Sequence, residues 1–178
     1  MKFLKVLGII VAALAVIILV GGMLLPKTYS VSRSTMINAS DSTIYNNIAN
    51  FNEFLKWNPW YKMEPSAKTT ISGPIAQPTH LYQWVGEETG TGQMKIKQVE
   101  TNKMVDIELK FIEPFESLAD TKFENTTDGA NKKVTWSMSG DNNLMGKWMG
   151  VFMSMDSMIG KDFEDGLKYL KEKSESGM

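Results

Sequence analysis

Residues 144–173, LMGKWMGVFMSMDSMIGKDFEDGLKYLKEK, form the segment that decides the fold. Apolar side chains recur in it every three or four residues, which is the spacing of one face of an α-helix. The charged Lys147, Lys161 and Lys168 lie largely off that face. The segment therefore predicts one long helix, whose apolar stripe needs a broad apolar surface to lie on. The stripe consists of Met145, Trp148, Met149, Phe152, Ile159, Phe163, Leu167 and Leu170.

The surface for that stripe is predicted from the periodicity of the preceding residues. Between about Thr69 and Ser139, apolar residues alternate with polar ones, which is typical of half-buried antiparallel strands. The clearest strand places Val105, Ile107 and Leu109 on one face, with charged residues between them. Because short turns separate these strands, the segment predicts an antiparallel meander.

A strand and short helices are predicted before the meander. The β-branched, alternating stretch Tyr29–Ile37 predicts a first strand. Ser40 and Asp41 form a helix start, because a hydroxyl can cap free amides and a carboxylate suits the positive end of the helix dipole. One or two short helices are expected to follow, and Pro59 stops them.

An uncharged apolar run, Val6–Leu25, precedes all of these elements. At about 1.5 Å per residue it would form a helix of roughly 30 Å, the thickness of the hydrocarbon core of a bilayer. We interpret it as a retained single-pass membrane anchor, and a cleaved secretory signal is the alternative. Lys2 and Lys5 favour a cytoplasmic N-terminus and therefore an extracytoplasmic domain. The expected division is an anchor in residues 1–27, one domain in 28–174 and a disordered tail in 175–178.

Charge and composition exclude several classes of function. The chain has 19 Lys+Arg and 20 Asp+Glu, and three of the lysines lie in or beside the apolar run, so the part from Thr28 has a net charge of −4. Nucleic acid is therefore not an expected partner, since its phosphates require a concentrated basic surface. The chain has no cysteine, and it has no phosphate-binding glycine loop, HExxH motif or nucleophile elbow. We expect no metal and no cofactor.

Four stretches carry a resemblance to a known family: SVSRSTMINAS at 30–40, LKWNPW at 55–60, LYQWVGEETGTGQMKI at 81–96 and GKDFEDGLKYLK at 160–171. With this element order, the chain resembles the START/Bet v 1-like (SRPBCC) superfamily, in particular its polyketide cyclase/dehydrase-type branch, over about Tyr29–Leu170. The resemblance implies an α+β helix-grip fold, in which a curved sheet of six or seven antiparallel strands wraps around the C-terminal helix. It also implies a cavity between them for a lipid or another hydrophobic small molecule.

Soft and aromatic side chains are the candidates for lining such a cavity, because thioethers repack and indoles offer a flat face with one donor. For Trp57 and Trp60, core and mouth positions are equally expected. Trp136 and Met138 are interpreted as core residues. The candidate ligand-binding residues are Trp57, Trp60, Tyr82, Trp84, Trp148, Phe152, Asp156 and Ile159.

Three side chains are candidates for catalysis. Asp156 lies near the middle of the apolar stripe, where a bare charge is costly to bury, so it is either a polar group of the cavity or paired with a donor. Arg33, the only arginine, could hold it through two parallel hydrogen bonds or lie on the solvent face of its strand. His80 and Tyr82 share a strand face and could supply a base and a donor, although a lone histidine is more often a rim or surface residue.

These features leave three hypotheses for function. The first is a membrane-anchored module that binds a hydrophobic small molecule or lipid. The second is a cyclase or dehydratase, which requires Asp156, His80 and Tyr82 to converge on one point of the cavity. The third is an interaction domain with a filled core, which a cavity far below the few hundred Å³ of ligand pockets would favour.

Overall fold

The computed structural model describes residues 2–129 and 131–176. These residues form thirteen helices and strands, and no group of them recurs along the described chain. In chain order they are α1 (Lys2–Leu24), β1 (Thr28–Ile37), α2 (Asp41–Ala49), α3 (Phe51–Phe54), α4 (Pro59–Met63), β2 (Lys68–Ser72), β3 (Leu81–Val85), β4 (Thr91–Glu100), β5 (Met104–Glu113), β6 (Ser117–Asp128), β7 (Asn131–Asp141), α5 (Leu144–Phe152) and α6 (Met155–Glu175).

All seven strands form one antiparallel sheet in the order β1-β7-β6-β5-β4-β3-β2. Strands β2 to β7 are the predicted meander, and β1 closes against β7 at the other edge. The alternation that predicted β5 is confirmed, since Val105, Ile107 and Leu109 are buried. The sheet has two ends, defined by its register. The α1 end holds the start of β1 at Thr28 and its partner Asp141, and the far end holds Ile37 and its partner Lys132.

The C-terminal helix lies across the concave face of this sheet. Phe163, Leu167 and Leu170 of α6 are buried in the core. The ring of Phe163 stacks on Trp136 of β7 with centroids 4.1 Å apart and an interplanar angle of 11°. A seven-stranded antiparallel sheet closed by a long helix is the helix-grip fold, and the predicted α+β class is confirmed.

The prediction of one helix over residues 144–173 is wrong, because α5 ends at Phe152 and α6 begins at Met155. Met153 between them is extended, with φ −149° and ψ 110°. The Ser154 side chain accepts a hydrogen bond from the amide of Ser157 and thereby caps α6. A serine in this position satisfies an amide that has no partner within the helix, which makes it a start signal inside the apolar stripe.

Three short helices, rather than one or two, connect β1 to β2. Ser40 caps α2 through the amide of Thr43, as predicted. Asn50 and Asn58 cap the next two helices, and Pro59 occupies the first turn of α4, where its missing N–H costs nothing. Proline therefore starts a helix here in addition to ending the preceding ones.

Helix α1 stands apart from the core of the domain. Its segment Phe3–Leu24 is long and apolar enough to cross a membrane, and its most apolar stretch is not buried against the rest of the chain. At the other end of the chain, α6 includes Glu175, whose carboxylate accepts a hydrogen bond from the amide of Asn38 at 2.8 Å. Glu175 therefore belongs to α6 and not to the expected tail, and residues 177 and 178 lie outside the described part of the chain.

Candidate ligand cavity

A cavity of about 370 Å³ lies between the sheet and the first half of α6. This volume is within the range of small-molecule sites in proteins. Its floor is formed by inward-facing residues of five strands, namely Tyr82, Met94, Leu109, Thr121, Trp136 and Met138. The floor contains no charged side chain, so the part of the cavity against the sheet suits an uncharged apolar group.

The cavity occupies the half of the concave face nearest the α1 end. Met94 pairs with Tyr82 on one side and with Leu109 on the other, so the three form one rung of the floor. Further from α1, Ile96, Ile107 and Phe123 are also buried but do not line the cavity. That far half is filled by the aromatic side chains of α3 and its flanks.

Aromatic and apolar side chains form most of the mouth. Trp84 and Phe111 come from the ends of β3 and β5, and their rings meet edge to face at 6.3 Å. The opposite side is formed by α4 and the loop that follows it, and α6 contributes Ile159. Tyr61, Met63 and Ala67 also belong to this rim, and Glu88 and Asp162 add two carboxylates to the lining.

Glu64 fixes the β3–β4 hairpin that forms one side of the mouth. Its buried carboxylate accepts hydrogen bonds from the amides of Glu87, Glu88 and Thr89 and from the Thr89 hydroxyl. The Thr89 amide and hydroxyl, with the two other amides, lower the pKa of Glu64. The hairpin is thus held by an ionised carboxylate. A neutral side chain in its place would lose these charge-assisted hydrogen bonds.

Two polar atoms of the floor lack a partner. Thr121 Oγ1 and Trp136 Nε1 are buried and form no hydrogen bond within the described part of the chain. Thr121 pairs with Met138 in the register and Phe123 pairs with Trp136, so Thr121 and Trp136 are diagonal neighbours on one face. Buried polar groups are nearly always hydrogen-bonded, so two unpaired atoms on residues that line a cavity are candidates for a partner from outside the chain.

Four of the eight candidate ligand-binding residues line the cavity: Trp60, Tyr82, Trp84 and Ile159. Burial raises the pKa of Tyr82, so its phenol stays protonated. The phenol can donate a hydrogen bond, but it does not release its proton. Trp57 lies in the packed core, where its Nε1 donates to the carbonyl of Asn47 at 2.8 Å.

The other three candidates lie on the helices at the C-terminal side. Trp148 contacts α1, and its Nε1 donates to the carbonyl of Ile18 at 3.1 Å. Phe152 is 87% exposed at the end of α5. Asp156 is exposed in the first turn of α6. None of the three belongs to the cavity lining.

Asp156 pairs with Arg33, which was one of the two alternatives for this arginine. Arg33 Nη1 and Nη2 donate to the two carboxylate oxygens at 2.7 and 3.1 Å, and Arg33 Nε donates to Glu164 at 2.8 Å. This contact lowers the pKa of Asp156. Gly160 leaves room for it, because a Cβ at that position would collide with the guanidinium.

His80 is fully buried, with both ring nitrogens in hydrogen bonds. The amide of Phe51 donates to Nε2 at 3.2 Å, so Nδ1 carries the hydrogen and donates to the carbonyl of Ser72 at 3.0 Å. The imidazole also stacks on the Phe51 ring at 4.7 Å. Burial lowers the pKa of His80, which keeps it neutral and structural.

Asp156, His80 and Tyr82 therefore do not converge on one point of the cavity, as the enzyme hypothesis required. Six of the lining residues that were not predicted come from β4 to β7, and they alternate along their strands in step with positions already interpreted as core. The alternation of side chains along a strand identifies which residues face the concave side of the sheet. It does not show which of these residues line the cavity and which lie in the filled core. Trp136 and Met138 illustrate this, since both are buried and both line the cavity.

No protein-family model matches the chain, and no curated protein matches it. Solved structures do share its fold. Protein Ms6760 from Mycobacterium smegmatis is 13% identical, with 86% of this chain and 99% of that chain covered and a TM-score of 0.59. Aha1 from Colwellia psychrerythraea, solved as a dimer, is 18% identical, with 84% and 98% covered and a TM-score of 0.59.

The Bet v 1-like protein Ara h 8.0201 is also similar in structure. It is 10% identical to this chain, with 84% of this chain and 99% of that chain covered and a TM-score of 0.57. Identities this low establish the helix-grip fold and leave ligand and activity to be argued from the cavity.

Proposed function

We propose that this protein is a membrane-tethered domain that binds a hydrophobic small molecule or lipid between its sheet and α6. The observation that carries the proposal is the cavity of about 370 Å³ with an uncharged floor. A filled core would have favoured an interaction domain without a ligand. Because the candidate catalytic side chains lie apart, the structure supports binding over the cyclase or dehydratase alternative.

The two unpartnered atoms narrow the chemistry of the ligand. Trp136 Nε1 can only donate, while Thr121 Oγ1 can donate or accept. A neutral oxygen, such as an alcohol, ester or ketone oxygen, could satisfy either atom. A carboxylate is disfavoured, since the floor offers no cation to compensate the loss of its hydration. The proposed ligand is therefore largely apolar with one uncharged oxygen.

Binding is tested on the full chain, stabilised in amphipol, with a matched series of probes. The series consists of a fatty alcohol, its acetate ester, the fatty acid and the alkane, all of one chain length. Quenching or shift of tryptophan emission reports occupancy, because Trp60, Trp84 and Trp136 line the cavity. We expect the alcohol and ester to bind more tightly than the alkane and the ionised acid.

Leu109→Trp is the variant that fills the cavity, and Leu109→Met is its volume-conserving control. The filled variant should lose at least about tenfold in affinity for the alcohol while the control binds as the wild type does. Ala67→Trp, which blocks the mouth from a half-buried position, repeats the test without altering the floor. Absence of binding across the series, together with no retained molecule in native mass spectra of gently extracted protein, would contradict the proposal.

Tethering is tested separately, since α1 could be a cleaved signal. The mature N-terminal sequence of protein from the native membrane decides between the two. A mature chain that begins after Gly22 would contradict the anchor and leave the binding proposal intact.

A further inference from the structure

Helix α5 is apolar and yet has no buried residue. Phe152 is 87% exposed, Met145 59% and Val151 53%. The following Met153 is 55% exposed. Lys147 is the only charged residue of the helix. A soluble domain rarely exposes a continuous apolar segment of this size, so the segment requires an apolar covering.

Helix α5 packs against the C-terminal part of α1. Trp148 Nε1 donates to the carbonyl of Ile18, and a Cβ at Gly21 would lie 2.9 Å from the Trp148 ring. A Cβ at Gly22 would collide with Leu144. The glycine pair thus allows the two helices to approach closely, as small residues do between helices in membranes.

This contact fixes how deep α5 would lie if α1 spans a membrane. Ile18 precedes Leu24, the last residue of α1, by six positions, which is about 9 Å along the helix axis. Interfacial helices insert their apolar face about 5–10 Å into the boundary between headgroups and acyl chains. Helix α5 therefore reaches the level of an interfacial helix. Lys147 has a long side chain that can extend to the headgroups.

A second exposed apolar group lies at the same end of the domain. Ile112, Phe115 and Leu118, around the β5–β6 turn, are 42%, 68% and 56% exposed. Ala119 pairs with Gly140 next to the end of β7, so this turn belongs to the α1 end of the sheet. The cavity occupies the same end.

We propose that α5 and the β5–β6 turn insert into the leaflet from which α1 emerges, and that the cavity exchanges its apolar ligand directly with this leaflet. Insertion rests on α1 as the anchor, and the exchange step rests on the proposed function. The net charge of −4 after Thr28 makes this docking hydrophobic. Zwitterionic lipid should suffice, and the docking should be insensitive to salt.

Insertion is measured with single cysteines carrying an environment-sensitive fluorophore, which is simple because the chain has no native cysteine. The full chain is reconstituted in phosphatidylcholine vesicles that contain nitroxide-labelled lipid as the quencher. Labels at Phe152→Cys and Phe115→Cys should be quenched, whereas a label at Ile75→Cys, in the β2–β3 loop at the far end, should not. Val11→Cys in α1 is the positive control. An unquenched label at residue 152 beside a quenched label at residue 11 would overturn the insertion.

Exchange is measured with the double variant Met149→Lys/Phe152→Lys, and Ser42→Lys/Asn46→Lys on the exposed face of α2 is its control. The variant should bind the fatty alcohol in amphipol as the wild type does, but take it up from vesicles about tenfold more slowly. Because residue 152 is itself substituted in the double variant, the label in that variant is placed at Val151→Cys. Unchanged uptake while this label is no longer quenched would overturn direct exchange. Loss of alcohol binding by every chain, the wild type included, would instead overturn the proposed function and leave the insertion result standing.

Discussion

The two halves of the concave face are built from the same strands, yet one half is filled and the other is open. In the far half, Phe51, Phe54 and Trp57 pack on the sheet, and Trp57 meets Phe123 edge to face at 6.0 Å. In the half near α1, the covering helix is α6, and the cavity remains beneath it. Helices α2 and α3 extend over the far half only, and α4 reaches no further than the mouth of the cavity. Stability is therefore expected to concentrate in the far half and binding in the other.

The largest expected effect is a difference in stability between substitutions of two tryptophans, Trp57 and Trp60, on either side of Asn58 and Pro59. Trp57→Ala should reduce the free energy of unfolding by about 3–5 kcal/mol, since it removes a fully buried indole from the filled half. Trp60→Ala should cost clearly less, because Trp60 is half-buried at the mouth, but it should weaken binding of the fatty alcohol. Denaturant unfolding and alcohol titration of the full chain in amphipol measure both quantities. Equal losses of stability would contradict the division into halves.

The sequence could not separate these two residues, because both are aromatic and both flank a proline. It did predict the meander, β1 and the cap at Ser40, and it offered the pairing of Arg33 with Asp156 as one of two alternatives. These features depend on local periodicity or on simple charge complementarity. The division of the concave face depends instead on how far α2 and α3 reach over the sheet, which is a tertiary property. The break at Ser154 was missed because the apolar stripe continues on both sides of it.

The second prediction concerns His80, which lies in the filled half and is kept neutral by burial. Its folded-state pKa is lowered below the ordinary value of 6.5. Below pH 6.5 the unfolded chain therefore binds a proton that the folded chain does not bind. The free energy of unfolding falls as the pH decreases. The slope from this group can reach about 1.4 kcal/mol per pH unit.

His80→Gln tests this, because an amide can replace both hydrogen bonds without titrating. The variant should be less stable by about 1–3 kcal/mol at pH 7.5, and its unfolding free energy should change less between pH 6.5 and 5. Alcohol affinity should be unchanged at pH 7.5, since His80 does not line the cavity. A binding loss without a stability change would return His80 to the candidates for function.

The third prediction concerns Thr121, a buried residue of the open half whose substitution should stabilise the empty protein. Thr121→Val replaces an unpartnered hydroxyl by a methyl group of similar size. The empty protein should gain about 1 kcal/mol in unfolding free energy, because an unsatisfied buried group is removed. Affinity for the fatty alcohol should fall severalfold, and affinity for the alkane should not fall. If alcohol and alkane respond equally, water and not ligand is the partner of Thr121.

The smallest expected effects concern the start of α6, where the sequence singled out Asp156 as an anomaly in an apolar stripe. Its position is explained by the helix start: Ser154 caps the first turn, and a carboxylate two residues later suits the positive end of the helix dipole. Ser154→Ala should cost about 1 kcal/mol of unfolding free energy. Asp156→Asn should cost less than this and lose its effect at high salt, because its pair with Arg33 is partly exposed. Neither variant should alter alcohol affinity or its pH dependence, and a changed pH profile in Asp156→Asn would restore the acid–base hypothesis that the geometry disfavours.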